Sequence, residues 1–291
     1  MNMTVRSPII IIGMGRSGTS VLSRMLEALG LFVGWKKTGD HEAVFFQQLN
    51  KWLLGQCGGS LANPAPMRYL LEDSEVRQLT VDLIRYTMKT PRAISFLGWK
   101  KYLRYRTPAN LDICWGWKDP RNTYTLPIWL DVFPEAKIIH IYRHGVDVAN
   151  SFKALRERVL ARVKARDAQC ASLYRFYLML KLISRRRAFV ELRSASLEDG
   201  LSVWEEYIQE SRTRVHDLQD RAIEIKYEDL LTEPYRVLKY LNNFCELGAA
   251  DRGIEMAVQQ VKKERAYAYR VNPRLEAFAA QMTDRLRIQG Y

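Results

Sequence analysis

Four isoleucines in a row, Ile9 to Ile12, run straight into Gly13-Met14-Gly15-Arg16-Ser17-Gly18. So short a β-branched run, ending in glycines, predicts a buried strand over Pro8–Ile12 and a tight turn after it. The period then changes. Val21, Leu22, Met25, Leu26 and Leu29 recur at helical spacing, which predicts a helix over Thr19–Leu29 with Gly30 as its C-cap. The polar segment Gly34–Glu42 leads into an amphipathic helix from Val44 to about Leu54, and the glycine- and proline-rich stretch Gly55–Pro66 reads as surface loop. A helix is expected over Glu72–Lys89. Asp112–Trp117 and Ala136–Tyr142 read as buried strands, separated by a helix expected to begin at Pro127 and run to Val132. After Arg143 a helix starts near Val146, and Arg221–Tyr227 and Pro234–Glu246 read as a further strand and helix. From Phe152 to about Glu210 the pattern is mostly helical. Within it Leu173–Ser184, apolar on all sides except at Arg175 and Lys181, is expected to pack in the core or against another helix, with membrane contact as the alternative. Strands alternating with helices predict an α/β protein: a three-layer α/β/α arrangement with a central, mainly parallel sheet and helical insertions.

The length of 291 residues suits one domain of this class, with a basic helical insertion at about 152–215. Charge changes the picture locally. The formal net charge is +13, and between Lys153 and Arg193 twelve Lys/Arg face only three acids. Such a block points to an anionic partner (a nucleotide, an acidic glycan, a membrane surface or a nucleic acid) or else to a solvated helix face. No apolar run approaches the length of a membrane-spanning helix. Cys57, Cys114, Cys170 and Cys245 are scattered without metal-ligand spacing, so reduced, mostly buried thiols in a cytoplasmic protein are expected, and no metal site.

The turn after the first strand carries the chemistry. Counted from Gly13, it follows the phosphate-loop pattern GxxxxGK[ST], with Thr19 in the lysine position. A strand entering a glycine turn that opens a helix gathers backbone N–H groups and the positive end of the helix dipole around one point. The hydroxyls of Ser17, Thr19 and Ser20 add donors, and Arg16 adds a positive charge. ATP chemistry uses the missing lysine together with magnesium. The loop as written suits a donor that offers a single 5′-phosphate group and needs no bridging metal.

Here the residues resemble those of a known family. The loop Gly15–Ser20 resembles the 5′-phosphosulfate loop of the sulfotransferases, a P-loop NTPase-like fold whose donor is 3′-phosphoadenosine 5′-phosphosulfate (PAPS). Tyr142-Arg143 opens a segment in which Ser151 follows Arg143 by eight residues, the family's spacing for gripping the donor 3′-phosphate. The family's usual Asp-Pro after that arginine is replaced by His144-Gly145. Trp117–Thr123 is similar to the Lys-Asp-Pro segment of tyrosylprotein and bacterial sulfotransferases, and Ile225–Pro234 to the family's Tyr-Glu-Asp-Leu segment. The resemblance implies a PAPS-dependent enzyme that moves a sulfuryl group to an acceptor hydroxyl or amine without a metal. It implies that Gly15, Arg16, Ser17, Gly18, Thr19, Ser20, Arg143 and Ser151 hold the donor. Arg16 would also face the leaving phosphate, and Lys118 the bridging oxygen. Tyr227 either packs on the adenine or fills core.

For the base that takes the acceptor proton, the resemblance favours Glu42, in Gly39-Asp40-His41-Glu42-Ala43. His41 is its rival, since an ordinary imidazole titrates near neutrality, and Asp40 and Asp119 rank below both. Structural readings stand beside these: Glu42 as a charge at the positive end of the next helix, Lys118 with Asp119 as an ion pair, Glu228 and Asp229 as fold-holding charges. His140 is expected in the core and His216 on the surface. Two other functions fit parts of the pattern, a P-loop nucleoside or small-molecule kinase and a non-catalytic nucleic-acid binder. The second lacks any RNA-binding or recognition-helix signature. Lys36–Glu42, Gly55–Pro66 and the basic block are expected to rim the acceptor site. That favours an anionic glycan, a glycolipid or a substrate presented at the inner face of a membrane, with peripheral contact through the basic segment. A small hydroxylated metabolite and a peptide stay open, and the oligomeric state is not legible.

Overall fold

The computed structural model describes residues 5–169, 171–183, 193, 195–259 and 261–291. At its centre lie four parallel strands: β1 (Ile9–Ile12), β2 (Gly116–Lys118), β3 (Lys137–Tyr142) and β4 (Ala222–Lys226). Their order across the sheet is β2-β1-β3-β4, so the chain leaves β1 to one side and returns to the other. That reversal opens a crevice at the carboxyl ends of the strands, where α/β folds bind ligands.

The central strand β1 is apolar throughout because both of its faces are covered. Ile10, Ile12 and Ile138 face one core, with Trp115, Trp117, Phe46 and Trp129, while Ile9, Ile11, Ile139, Ile141 and Ile225 face a second, with Leu22, Leu26 and Leu238. The helices that supply these layers are α1 (Thr19–Ala28), α2 (Val44–Gln56), α3 (Met67–Glu72), α4 (Ser74–Met88), α5 (Ile94–Tyr105) and α6 (Asn122–Val132). They continue as α7 (Gly145–Gln169), α8 (Ala171–Ile183), α9 (Leu197–Leu218), α10 (Tyr227–Thr232), α11 (Pro234–Phe244), α12 (Asp251–Val258), α13 (Pro273–Gln281) and α14 (Thr283–Ile288). The three-layer arrangement with a parallel sheet is as the pattern predicts.

Several boundaries differ from expectation. The second strand is not Asp112–Trp117 but Gly116–Lys118. Asp112 is taken by Tyr105 and Arg104, and at Gly116 a Cβ would lie 2.0 Å from the Ile9 carbonyl oxygen, so only glycine lets the strand approach β1. The helix expected to begin at Pro127 begins at Asn122, with Pro127 inside it. Asn122 and Thr123 hold its start to the sheet: Asn122 Nδ2 donates to the Ile11 carbonyl (3.1 Å) and Thr123 Oγ1 accepts from Gly13 N (3.1 Å). Those bonds outweigh the one backbone bond that proline forfeits. The helix expected over Glu72–Lys89 is α4, starting at Ser74 because Asp73 caps it, its carboxylate accepting from Val76 N at 3.0 Å; Glu72 ends the short α3.

The apolar helix Leu173–Ser184 meets its expectation in part. The structure has α8 there, packed against α7, but Leu173, Phe176, Tyr177, Met179 and Leu180 are exposed and not in a core. Ser184 and Cys170 lie outside the described residues. Of the other cysteines only Cys245 is buried, Cys57 and Cys114 being half-buried. His140 is in the core as expected, its Nδ1 2.8 Å from Glu224, and His216 is exposed.

Candidate functional site

Each strand delivers one motif to the same edge of the sheet. β1 runs into the glycine loop, β2 ends at Lys118, β3 stops before Arg143 and β4 before Tyr227. The loop conformation explains its glycines. Gly13 (φ 128°) leaves no room for a Cβ, which would stand 2.2 Å from the Ile141 carbonyl oxygen. At Gly18 (φ 91°) it would stand 2.1 Å from the Tyr227 ring. Arg16 itself takes a left-handed conformation, φ 76°. No side chain caps α1 and no acid sits in its first turn, so its leading N–H groups and its dipole face the loop uncompensated.

On the β3 side, cations converge. Arg16 Nε donates to Ser151 Oγ at 2.8 Å, which joins the glycine loop of β1 to the first turns of α7. Burial lowers the Arg16 guanidinium pKa from its ordinary value. Arg158, Arg143 and Arg265 push the same way and Asp40 opposes them. Arg143 stacks over the Tyr227 ring at 5.0 Å from its centroid. Its Nη2 donates to the Arg265 carbonyl and pairs with Asp147 Oδ2, each at 3.0 Å. Arg143 Nε is buried and has no hydrogen-bond partner among the described residues. A buried charged donor left without an acceptor is costly, and a ligand phosphate oxygen would supply one. Trp204 Nε1 holds the Arg143 carbonyl (2.9 Å), and Ala268 N reaches Asp147 (3.1 Å), which folds the segment 263–271 over the arginine.

On the β2 side, opposite charges are paired and buried. Lys118 Nζ donates to the Asp40 carbonyl (2.6 Å), Ser20 Oγ (3.2 Å) and Glu42 Oε1 (3.2 Å), using all three of its protons. Burial lowers the Lys118 pKa, with Glu42 opposing. Glu42 Oε2 accepts from Gln47 Nε2 at 2.5 Å and lies 3.8 Å from Arg121 Nη1. Asp119 is fully buried, and burial raises its pKa. It accepts from Arg121 N (2.9 Å), Arg121 Nη1 (2.8 Å) and Asn50 Nδ2 (3.1 Å). Asn50 also donates to Asn122 (2.7 Å) and accepts from Thr125 and Trp129 (2.8 Å each), which pins α2 to α6. Phe46, stacked on Trp117 at 3.9 Å, does the same for α2 and β2. Through these anchors Glu42, two residues ahead of α2, is set beside Lys118.

The geometry therefore sorts the candidates. Gly15, Arg16, Ser17, Gly18, Thr19 and Ser20 form one loop, with Arg143 and Ser151 on its β3 flank and Lys118 and Glu42 on its β2 flank. Tyr227 is buried against Gly18 and Arg143. His41 turns away: its Nε2 lies 2.8 Å from Glu27 Oε2, and burial lowers its pKa. Two structural expectations are corrected. Glu42 makes no cap to α2, and Lys118 pairs with Glu42 rather than with Asp119, whose partner is Arg121. Glu228 does hold the fold, accepting from His144 N (3.0 Å) and Tyr291 Oη (2.8 Å). Sequence reasoning missed Gln47, Arg121, Asp147 and Arg265. Only Asp147 carried a signal, as an acid four residues after Arg143. Among the described residues no group of His, Cys, Asp or Glu could hold a metal, and no helix is long and apolar enough to cross a membrane.

Comparison with known proteins gives one strong likeness. The model of a family described as the sulfotransferase family matches residues 8–251. No curated protein sequence matches. Among solved structures, the sulfotransferase domain of the Synechococcus PCC 7002 olefin synthase is 17% identical, with 86% of this chain and 76% of that one covered and a TM-score of 0.46. The sulfotransferase domain from the curacin biosynthetic pathway is 16% identical over 96% and 98%, with a TM-score of 0.48. The sulfotransferase STF1 of Mycobacterium tuberculosis is 13% identical over 89% and 72%, with a TM-score of 0.47.

Proposed function

Because the chain belongs to the sulfotransferase family, we propose that its donor is PAPS and that Glu42 takes the proton from the acceptor hydroxyl or amine. What carries this reading is the 2.8 Å bond from Arg16 to Ser151, which makes one continuous anion site of the glycine loop and the end of β3. The unpartnered Arg143 Nε fits a donor with a second phosphate on that side. Arg143 and Ser151 would grip the 3′-phosphate, Tyr227 would support the nucleoside side, and the loop amides with Ser17, Thr19 and Ser20 would take the 5′-phosphate.

The donor supplies the sulfuryl group and a phosphate that leaves carrying negative charge. Arg16 and the N-terminus of α1 stabilise charge at the loop, and Lys118, hydrogen-bonded to Ser20, brings a second cation to its other side. Glu42 stands next to Lys118, with Gln47 orienting its second oxygen. A proton taken from the acceptor goes to that carboxylate. The exposed Arg158, Arg162 and Lys164 of α7 favour an acceptor that carries negative charge, such as an acidic glycan or a glycolipid.

The test is thermal protection. Adenosine 3′,5′-bisphosphate should raise Tm without added metal, and ATP with magnesium should not. Protection by magnesium-ATP alone would reassign the loop to phosphoryl transfer.

A further inference from the structure

We propose that α7 and α8 form an arm that docks on an anionic lipid bilayer, with α8 lying in the bilayer interface. α7 starts at the donor site, where Ser151 meets Arg16. The next residue, Phe152, is the last buried side chain described on this helix; from Lys153 to Ala165 every one is half-buried or exposed. The helix thus leaves the body of the protein within two turns of its start, and α8 returns against it.

On α8 the apolar residues Leu173, Phe176, Tyr177 and Leu180 fall at helical spacing along one stripe, with Met179 beside it, and each is 44–68% exposed. A continuous apolar stripe of that kind marks a contact surface. Charge selects the occupant. The sequence between Lys153 and Arg193 holds twelve Lys/Arg against three acids, and Arg158, Arg162, Lys164 and Arg175 are exposed on the two helices. Acyl chains bounded by anionic headgroups match an apolar stripe bounded by cations. A second copy of the arm would bring like charges together, and a nucleic acid would leave the stripe uncovered. No described helix spans a membrane, so the contact is with one surface of the bilayer. The root of the arm lies at the donor site, so docking would bring that site to acceptors held in the same membrane. Only this last consequence rests on the function proposed above.

The experiment is co-sedimentation of the whole protein with vesicles of phosphatidylcholine, and with vesicles in which about 30% of the lipid is phosphatidylglycerol. Binding should be at least about tenfold stronger to the anionic vesicles and should fall in about 0.5 M salt. The double substitution Leu173→Glu, Phe176→Glu should lower it by about tenfold or more, while leaving thermal protection by adenosine bisphosphate unchanged. Should that variant not fold, the wild-type comparison between the two vesicles decides alone. Three results overturn the proposal: no vesicle binding, equal binding to both lipids, or binding to random DNA with none to lipid. So does a dimer that the double substitution dissociates while vesicle binding is absent. Vesicle binding without any adenosine bisphosphate binding would instead remove the donor reading and leave the docking surface standing.

Discussion

Replacing Glu42 with glutamine keeps the shape of the side chain and removes its charge, which separates chemistry from fold. The carboxylate now accepts from two donors, Lys118 Nζ at one oxygen and Gln47 Nε2 at the other. An amide has a single acceptor oxygen, so in Glu42→Gln one of these donors faces an NH2 group in a site where Glu42 is buried. Losing one hydrogen bond there costs about 1–3 kcal/mol. The cost stays below that of stripping a buried lysine of every partner, because the Asp40 carbonyl (2.6 Å) and Ser20 Oγ (3.2 Å) still hold Lys118. A fall of several degrees in Tm is expected. Its pH dependence follows from Lys118, whose folded-state pKa burial already lowers. Removing the neighbouring negative charge lowers it further. The lysine is therefore more costly to bury while protonated, and the deficit against wild type shrinks as pH rises from 7 toward the ordinary lysine pKa of about 10.5. Activity should respond far more: kcat about 10² to 10⁴ lower, with affinity for adenosine bisphosphate within about twofold. Initial rates with labelled donor, on an acceptor found by screening, would measure this. A folded Glu42→Gln protein that keeps kcat within about threefold of wild type refutes Glu42 as the base.

Arg143→Ala removes the buried donor that lacks a protein acceptor, and adenosine bisphosphate should bind about 10- to 150-fold more weakly, corresponding to about 1.5–3 kcal/mol. Calorimetric titration measures it, and unchanged affinity would detach the end of β3 from the donor. His144 is buried between Tyr269, stacked at 4.2 Å, and Tyr291, and burial pushes its pKa down to about 4. Below the unfolded value of about 6.5 the unfolded chain binds the proton first, so stability falls as pH drops from 6.5 toward 4, by about 3 kcal/mol through this group. Urea midpoints for wild type and His144→Phe should converge or cross over that range; parallel curves would exclude His144 as the titrating group.

The sheet was legible because its signals are local. Ile9–Ile12 ahead of glycines, and the β-branched run Lys137–Tyr142 before Arg143, needed only their own period and termination. What decided the other boundaries is remote in the chain. Asn122 begins α6 early because its partners are Ile11 and Asn50, and Lys118 chooses Glu42, 76 residues away, over its neighbour Asp119. The side chains of α8 show the same limit in reverse. Their pattern says apolar on nearly every face, but whether such a helix is buried depends on where α7 carries it, and α7 carries it off the body. For the site, the glycine loop is legible from its own pattern, whereas Arg143 and Ser151 are singled out only by the family resemblance. Gln47 and Arg121 are legible from neither, since nothing in the pattern says that the start of α2 faces the end of β2.

The lost loop lysine is best understood through the strand order. β1 lies between β2 and β3, so whatever those strands carry at their carboxyl ends flanks the loop from opposite sides. Thr19, in the lysine position, is buried and carries no charge. The charge returns from the neighbours. Lys118 reaches Ser20 from β2, and Arg16 turns through a positive φ to meet Ser151 beyond β3. A single loop lysine suits a ligand threaded along one helix N-terminus. Two cations arriving from opposite flanks suit a ligand whose charge sits at two separated places; if Glu42 is the base, as proposed, the reacting bond lies nearer the β2 side. On the proposed reading, proton removal and nucleoside binding fall on different strands. Changes at Glu42 should therefore alter turnover and changes at Arg143 should alter donor affinity, each largely independent of the other.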